Sequence, residues 1–177
     1  NANPTASAGA ALSDICQSGT SAAMGGSVGG SATGGTWSGG AGTWTNANNP
    51  STATYTAGAS ETGSITLTLT TSGGSCGTTT ATKSITVNAN PTISGTTPAS
   101  RCGTGTVALG STASAGTINW YAASSGGSSL GTGTSFTTPS IAATTTYYVD
   151  ASNAGCTTAS RTAVTATVNA IHRNRST

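Results

Sequence analysis

The sequence predicts an all-β protein: two tandem β-sandwich domains set in an elongated rod. Three observations carry this. The chain repeats itself at 81 to 87 residues, apolar residues alternate with threonine at a period of two, and each repeat holds one pair of cysteines. Composition excludes the rivals. The 177 residues include 39 Thr, 26 Ser and 26 Gly, and charged residues are 5%, against about 25% in ordinary soluble domains. Coiled coils and helical bundles need Glu, Lys, Arg and Leu in quantity, and here Lys+Arg is 5 and Asp+Glu is 3. Disordered chains are charge-rich and poor in β-branched residues. A collagen helix needs Gly at every third position.

The repeat sets the domain boundaries. Asn1-Ala2-Asn3-Pro4-Thr5 returns as Asn88-Ala89-Asn90-Pro91-Thr92, an offset of 87, and Val87-Asn88-Ala89 returns as Val168-Asn169-Ala170, an offset of 81. This gives domains over 1–87 and 88–168 and a basic tail over 169–177. A proline at each entry fixes φ and stiffens the junction, hence the expectation of a rod. The abrupt start at Asn1 reads as a processed product or a piece of a longer chain.

In the first repeat, Trp37 and Trp44 flank Ser38-Gly39-Gly40-Ala41 and predict a hairpin. Ile65, Leu67 and Leu69 alternate with Thr66, Thr68 and Thr70, and Ile85 and Val87 close the unit. Threonine suits the outer face because β-branching favours a strand and the hydroxyl keeps it wet. Lys83 shares the parity of Ile85, against the pattern. It is expected to snorkel at the strand's start or to guard an edge. In the second repeat Val107 and Leu109 mark an early strand. Ile118 and Trp120 then share one face of 117–122. Tyr147 and Val149 point inward, with Tyr148 and Asp150 outward, and Val164, Ala166 and Val168 line the inner face of the last strand. Gly and Ser clusters at 124–129 and 152–155 supply turns.

The four cysteines follow the repeat. Cys16 lies 15 residues after Asn1 and Cys102 lies 14 after Asn88. Cys76 precedes Val87 by 11 and Cys156 precedes Val168 by 12. Four cysteines allow three connectivities, and the repeat favours Cys16–Cys76 and Cys102–Cys156. Each bridge would close a long loop, for about 4 kcal/mol in the chain-entropy model, and would place the protein in an oxidising compartment. Zinc would want closely spaced pairs such as C-x2-C, and none is present.

Short strands, regular turns and a Cys…Trp…Cys order within a unit read as an immunoglobulin-like sandwich. No Tyr stands two residues before Cys156, so the bridge is expected to tie the start of the second strand to the last hairpin and not to cross the core centre. Residues 117–123 (Thr-Ile-Asn-Trp-Tyr-Ala-Ala), 126–131 (Gly-Gly-Ser-Ser-Leu-Gly) and 144–149 (Thr-Thr-Thr-Tyr-Tyr-Val) resemble the bacterial Ig-like repeats of very large Bacteroidota surface proteins. Residues 37–44 (Trp-Ser-Gly-Gly-Ala-Gly-Thr-Trp) with Ala53-Thr54-Tyr55 are similar to the PKD-like repeats that accompany them. The resemblance implies an extracellular stalk, adhesin or filament, commonly exported by the type IX route, whose signal is a separate C-terminal domain not visible in this sequence.

Reactive chemistry is sparse. The body, residues 1–170, carries Asp14, Glu61 and Asp150 against Lys83, Arg101 and Arg161, a net charge of zero; the excess of +2 sits in the tail with Arg173 and Arg175. No basic cluster marks a nucleic-acid face, and no apolar run approaches the ~20 residues of a membrane span. His172, the one histidine, lies in the tail and reads with its neighbours as a frayed, solvated end. There is no Ser-His-Asp arrangement and no carboxylate pair. Gly25-Gly26 and Gly29-Gly30 lack the lysine of a phosphate loop. Asp150 with Ser152 and Asn153 falls short of the 6–8 oxygens calcium takes. Asn174-Arg175-Ser176 is a nominal glycosylation triplet. No cofactor, metal or catalytic residue is expected.

The function expected is a non-catalytic structural module of an extracellular filament or cell-surface adhesin. Its partners would be further copies of itself or neighbouring repeats, joined end to end, with residues 1–15 as a candidate donor strand. The clean backbone edges of long Thr-rich strands and the near-zero body charge favour such joining. The alternative is a carbohydrate-binding module, with surface glycans stacked on Trp37, Trp44 or Trp120. Ice binding by Thr66, Thr68 and Thr70 is a third reading, at odds with the long repeat.

Overall fold

The computed structural model describes residues 2–171. Residues 172–177, which hold the basic end of the expected tail, lie outside the described residues; Asn169 closes the last strand. The chain divides into two compact units, Asn1–Ala89 and Asn90–Thr177. Among the described residues all regular structure is β.

The first unit contains β1 (Thr5–Ser7), β2 (Ile15–Cys16), β3 (Ser27–Gly29), β4 (Gly34–Ser38), β5 (Thr43–Thr45), β6 (Thr54–Thr56), β7 (Gly63–Ser72) and β8 (Thr80–Asn88). One sheet runs β2-β8-β7-β4; the other layer is made of the pairs β1-β3 and β5-β6. The Thr-apolar alternation of β7 and β8 builds the first sheet. Antiparallel register sets Ile65 against Ile85 and Leu67 against Lys83. Alternate side chains leave a strand on opposite faces, so Leu67, Leu69, Ile85 and Val87 enter the core while the threonines between them point away. Trp37, Met24, Ala53 and Tyr55 complete this core. Residues 21–26 follow β6 without a regular ladder: the amides of Ser21 and Met24 donate to the carbonyls of Tyr55 and Ala53.

The expected hairpin between Trp37 and Trp44 is replaced by a crossing between sheets. Strand β4 pairs with β7 and β5 pairs with β6, so residues 39–42 carry the chain from one layer to the other. Gly39 and Gly40, at φ 104° and 72°, make the corner. A side chain on Gly40 would collide with the Tyr55 hydroxyl.

The second unit contains β9 (Ile93–Thr97), β10 (Ala99–Cys102), β11 (Ala108–Ala113), β12 (Thr117–Tyr121), β13 (Gly131–Thr132), β14 (Ser135–Thr137), β15 (Thr145–Asn153), β16 (Cys156–Thr157) and β17 (Thr162–Asn169). One sheet runs β10-β17-β15-β12-β13, with β16 on the end of β15; the other runs β14-β11-β9. The inner faces follow the expected parity: Ile118, Trp120, Tyr147, Val149, Val164 and Ala166 are buried, and Val168 is half-buried against them. Phe136 stacks on Trp120 at 5.4 Å. The Trp120 indole donates to the Gly133 carbonyl at 2.9 Å, which gives the buried N–H its partner. Ala154 and Gly155, both at positive φ, form the two-residue turn joining β15 to β16, the backbone twist that suits right-handed strands.

Candidate functional site

Each unit carries its two cysteines at opposite ends, and topology is the cause. Cys16 sits in β2, which pairs in parallel with the last residues of β8, Cys16 opposite Asn88. Cys102 ends β10, which pairs in parallel with the last residues of β17, Cys102 opposite Asn169. The repeat is exact in backbone terms: the amide of Gln17 donates to the Asn88 carbonyl and that of Gly103 to the Asn169 carbonyl. Cys16 and Cys102 therefore mark the end where the chain leaves each unit. Cys76 lies in the loop between β7 and β8, and Cys156 in the β15–β16 hairpin, buried at 1% exposure. Both mark the end where the chain enters.

This corrects the expected bridges Cys16–Cys76 and Cys102–Cys156. From Thr80 to Asn88 a strand rises about 26 Å, and from Thr162 to Asn169 about 23 Å, whereas a disulfide needs Cα atoms about 4.4–6.8 Å apart. Neither unit can bridge its own pair. Cys16 and Cys156 are each oxidised in a disulfide, and Cys76 and Cys102 are free and exposed. The repeat located the cysteines at matching positions in the fold but misjudged which end of the last strand the early one meets.

The charged side chains are bound into the units. Lys83 reaches inward over the Trp37 ring, 5.6 Å from its centroid, and donates to the carbonyls of Ala10 and Met24 at 2.8 and 2.6 Å. Burial lowers its pKa. The sequence left it a choice between snorkelling and guarding an edge; it instead ties the entry segment to the sheet. Glu61 accepts from the Tyr55 hydroxyl and from the amides of Ala41 and Gly58, at 2.7 and 3.0 Å for the amides. Burial raises its carboxyl pKa, but the three hydrogen bonds together outweigh it, and the net shift is downward. Burial first and the Glu61 bond second push the Tyr55 phenol up.

In the second unit Arg161 forms an ion pair with Asp150 at 3.3 Å. It also lies over the Tyr121 ring and donates to the carbonyls of Ala123 and Gly126. Asn119 donates to the other oxygen of Asp150 at 3.0 Å. Asp150, weighed above as a calcium ligand, is therefore held by a cation and an amide. Arg101 donates to the carbonyls of Gly103 and Thr106 and shapes the turn after Cys102. Among the described residues no three of His, Cys, Asp and Glu gather where a metal ion could sit.

The aromatic residues that could stack on sugars are engaged. Trp37 and Trp120 are buried at 2% and 0% exposure. Trp44 is half-buried, stacked on Trp37 at 6.0 Å and tilted against Tyr55 at 5.1 Å. Two surface depressions are open, one lined by Asn46, Asn48, Asn49 and Thr52, the other by Pro91, Ile93, Thr158 and Thr162. Neither holds an acid, a base or a thiol. No described helix is long and apolar enough to cross a membrane.

Residues 88–169 match the family described as Ig-like domain, CHU_C associated. The second unit is thus an Ig-like domain of the bacterial type its Trp-Tyr and Thr-Tyr-Tyr-Val motifs resemble. Among solved structures, the titin I-band fragment is similar at TM-score 0.51 and 14% identity, over 94% of this chain and 65% of that one. The chain thus spans about two thirds of that fragment. The IG1+IG2 pair of DIP-gamma aligns at TM-score 0.44 and 11% identity, over 97% and 99%. The fibronectin(III)-like modules of Clostridium thermocellum CbhA align at 0.41 and 12%, over 99% and 100%. Identities of this size speak to fold alone. No curated protein matches the sequence.

Proposed function

We propose that the chain is a non-catalytic structural module of an extracellular filament or cell-surface adhesin, joined end to end through its β-sandwich units. One observation carries this reading. Of the six charged side chains among the described residues, five (Glu61, Lys83, Arg101, Asp150 and Arg161) are bonded into the fold. Two surface depressions are lined without an acid, base or thiol, one by Asn46, Asn48, Asn49 and Thr52 and the other by Pro91, Ile93, Thr158 and Thr162. Oxidised Cys16 and Cys156 support a place outside the reducing cytoplasm.

The route of joining follows from the sheets. Strand β8 has a partner on its outer edge only at Val87 and Asn88. Residues 80–86 are therefore an open edge among the described strands, the feature that templates strand addition. The segment 1–15 is already used at home: β1 pairs with β3, and Ala8, Leu12 and Ile15 pack on the first core. Strand donation by it would strip its own unit, so edge and end contacts between intact units serve better. The half-buried or buried state of every aromatic residue gives the carbohydrate reading no open platform. Sedimentation velocity over a concentration series, paired with a glycan array, tests the proposal. Concentration-dependent growth with a blank array is expected; a monomer at all concentrations that binds one glycan saturably would overturn it.

A further inference from the structure

We propose that the open edge of β8 pairs with the same edge of a second copy, the two strands lying antiparallel about a two-fold axis at Thr82. The contact rests on the joining proposed above and names the partner of that edge.

Backbone parity shows which groups of β8 are free. The Thr71 amide donates to the Thr79 carbonyl, so Thr79 turns its backbone groups toward β7. Along an antiparallel strand these groups face the partner at every second residue. Ala81, Lys83 and Ile85 therefore also face β7, and Thr80, Thr82 and Ser84 turn theirs outward. Asn88 has the outward parity too, and its carbonyl accepts from the Gln17 amide beyond β2. Strand β2 covers this edge only at Val87 and Asn88. The second unit is built differently. Its β10 is four residues long and covers β17 from Ala166 to Asn169, which leaves Ala163 and Thr165 as the outward residues beyond it. Among the described strands, the first unit keeps the longer open final edge.

The side chains decide what this edge fits. Thr80, Thr82 and Ser84 are exposed and uncharged. An inward-pointing charge ordinarily guards an edge, but the Lys83 ammonium is drawn inside the unit by the carbonyls of Ala10 and Met24. The edge is complementary to itself. About an axis at Thr82, outward residues meet outward residues: Thr82 faces Thr82 of the second copy, and Thr80 faces its Ser84. Opposed hydroxyl residues stabilise a strand pair, and opposed like charges destabilise it. In this register Lys83 lies opposite Ala81; an axis at Lys83 would set the two lysines against each other. A two-fold contact closes with two copies, so it ties chains side by side, and end-to-end growth uses a different surface.

The test is amide hydrogen exchange on the whole chain over a concentration series, with Cys76 and Cys102 alkylated and sedimentation velocity run on the same samples. On association the amides of Thr80, Thr82 and Ser84 should slow about tenfold or more, while those of Ala163 and Thr165 stay fast. Thr82→Pro removes an outward N–H that β7 does not use, a place where an edge strand tolerates proline. It should weaken association several-fold and keep the unfolding midpoint; if that variant does not fold, the wild-type exchange pattern decides alone. Association with the three amides still fast would overturn this contact and leave the joining reading standing. A dimer that grows no further, with the three amides slowed, would support this contact and overturn end-to-end growth. Slowing only when a synthetic peptide of residues 79–87 is added, the intact chains staying monomeric, would overturn the second copy as the partner. A monomer at every concentration with no slowing would remove both readings.

Discussion

At the scale of single residues, few charges do much of the positioning. Glu61 gathers the Tyr55 hydroxyl and two loop amides and so fixes the crossing loop around Gly40 and Ala41. Hydrogen bonds to an ionised group contribute roughly 1.5–3 kcal/mol when well made; with this carboxylate half-exposed, Glu61→Gln should cost about 1–2 kcal/mol at neutral pH. The sign with pH follows from the lowered carboxyl pKa. The contribution is whole above the unfolded carboxyl's pKa and is lost as pH falls through the folded one. Urea unfolding of wild type and E61Q at neutral and acid pH should show the gap narrowing on acidification; a constant gap would contradict the assignment. Lys83→Met should release the entry segment: faster hydrogen exchange near Ala10 is expected, with the strands β7 and β8 still protected.

At the scale of elements, Arg161, the residue just before β17, pairs with Asp150 of β15 and holds the 123–126 turn through two carbonyls. Because both side chains are mostly buried, removing one leaves the other poorly solvated. Arg161→Ala should cost about 2 kcal/mol, with loss of order in that turn seen by NMR relaxation. The strand faces were legible in the sequence because period two is a local property: Ile118, Trp120, Tyr147 and Val149 declare their side without reference to the partner strand. Met24 was not legible, since it lies in an irregular run with Gly on either side of its strand-like path. Nor was the crossing at residues 39–42, where glycines permit a corner as readily as a hairpin. The cysteine error has the same source. Strands β2 and β10 are two and four residues long, and nothing local says that such a scrap pairs in parallel with the end of the last strand. The open edge of β8 yields its own prediction. Ser84→Lys places a charge on the outer face of that edge strand, a common guard against strand addition, and should weaken association in sedimentation several-fold without lowering the unfolding midpoint.

At the scale of the whole molecule, two cores are built from separate sets of residues, one around Trp37 and Leu67, the other around Trp120 and Val149. Truncating a buried leucine to alanine costs about 2–5 kcal/mol. Leu67→Ala should therefore lower the unfolding transition reported by the first unit and leave the signals of Trp120 and Phe136 in the second unchanged. Among the described residues, five of the six charged side chains are bonded into the fold, in keeping with the joining role proposed above. Cryo-electron microscopy of the concentrated, oxidised chain tests this most directly. Filaments whose repeating subunit is a pair of Ig-like sandwiches are expected. Dispersed single particles at every concentration, under oxidising and reducing conditions alike, would contradict it.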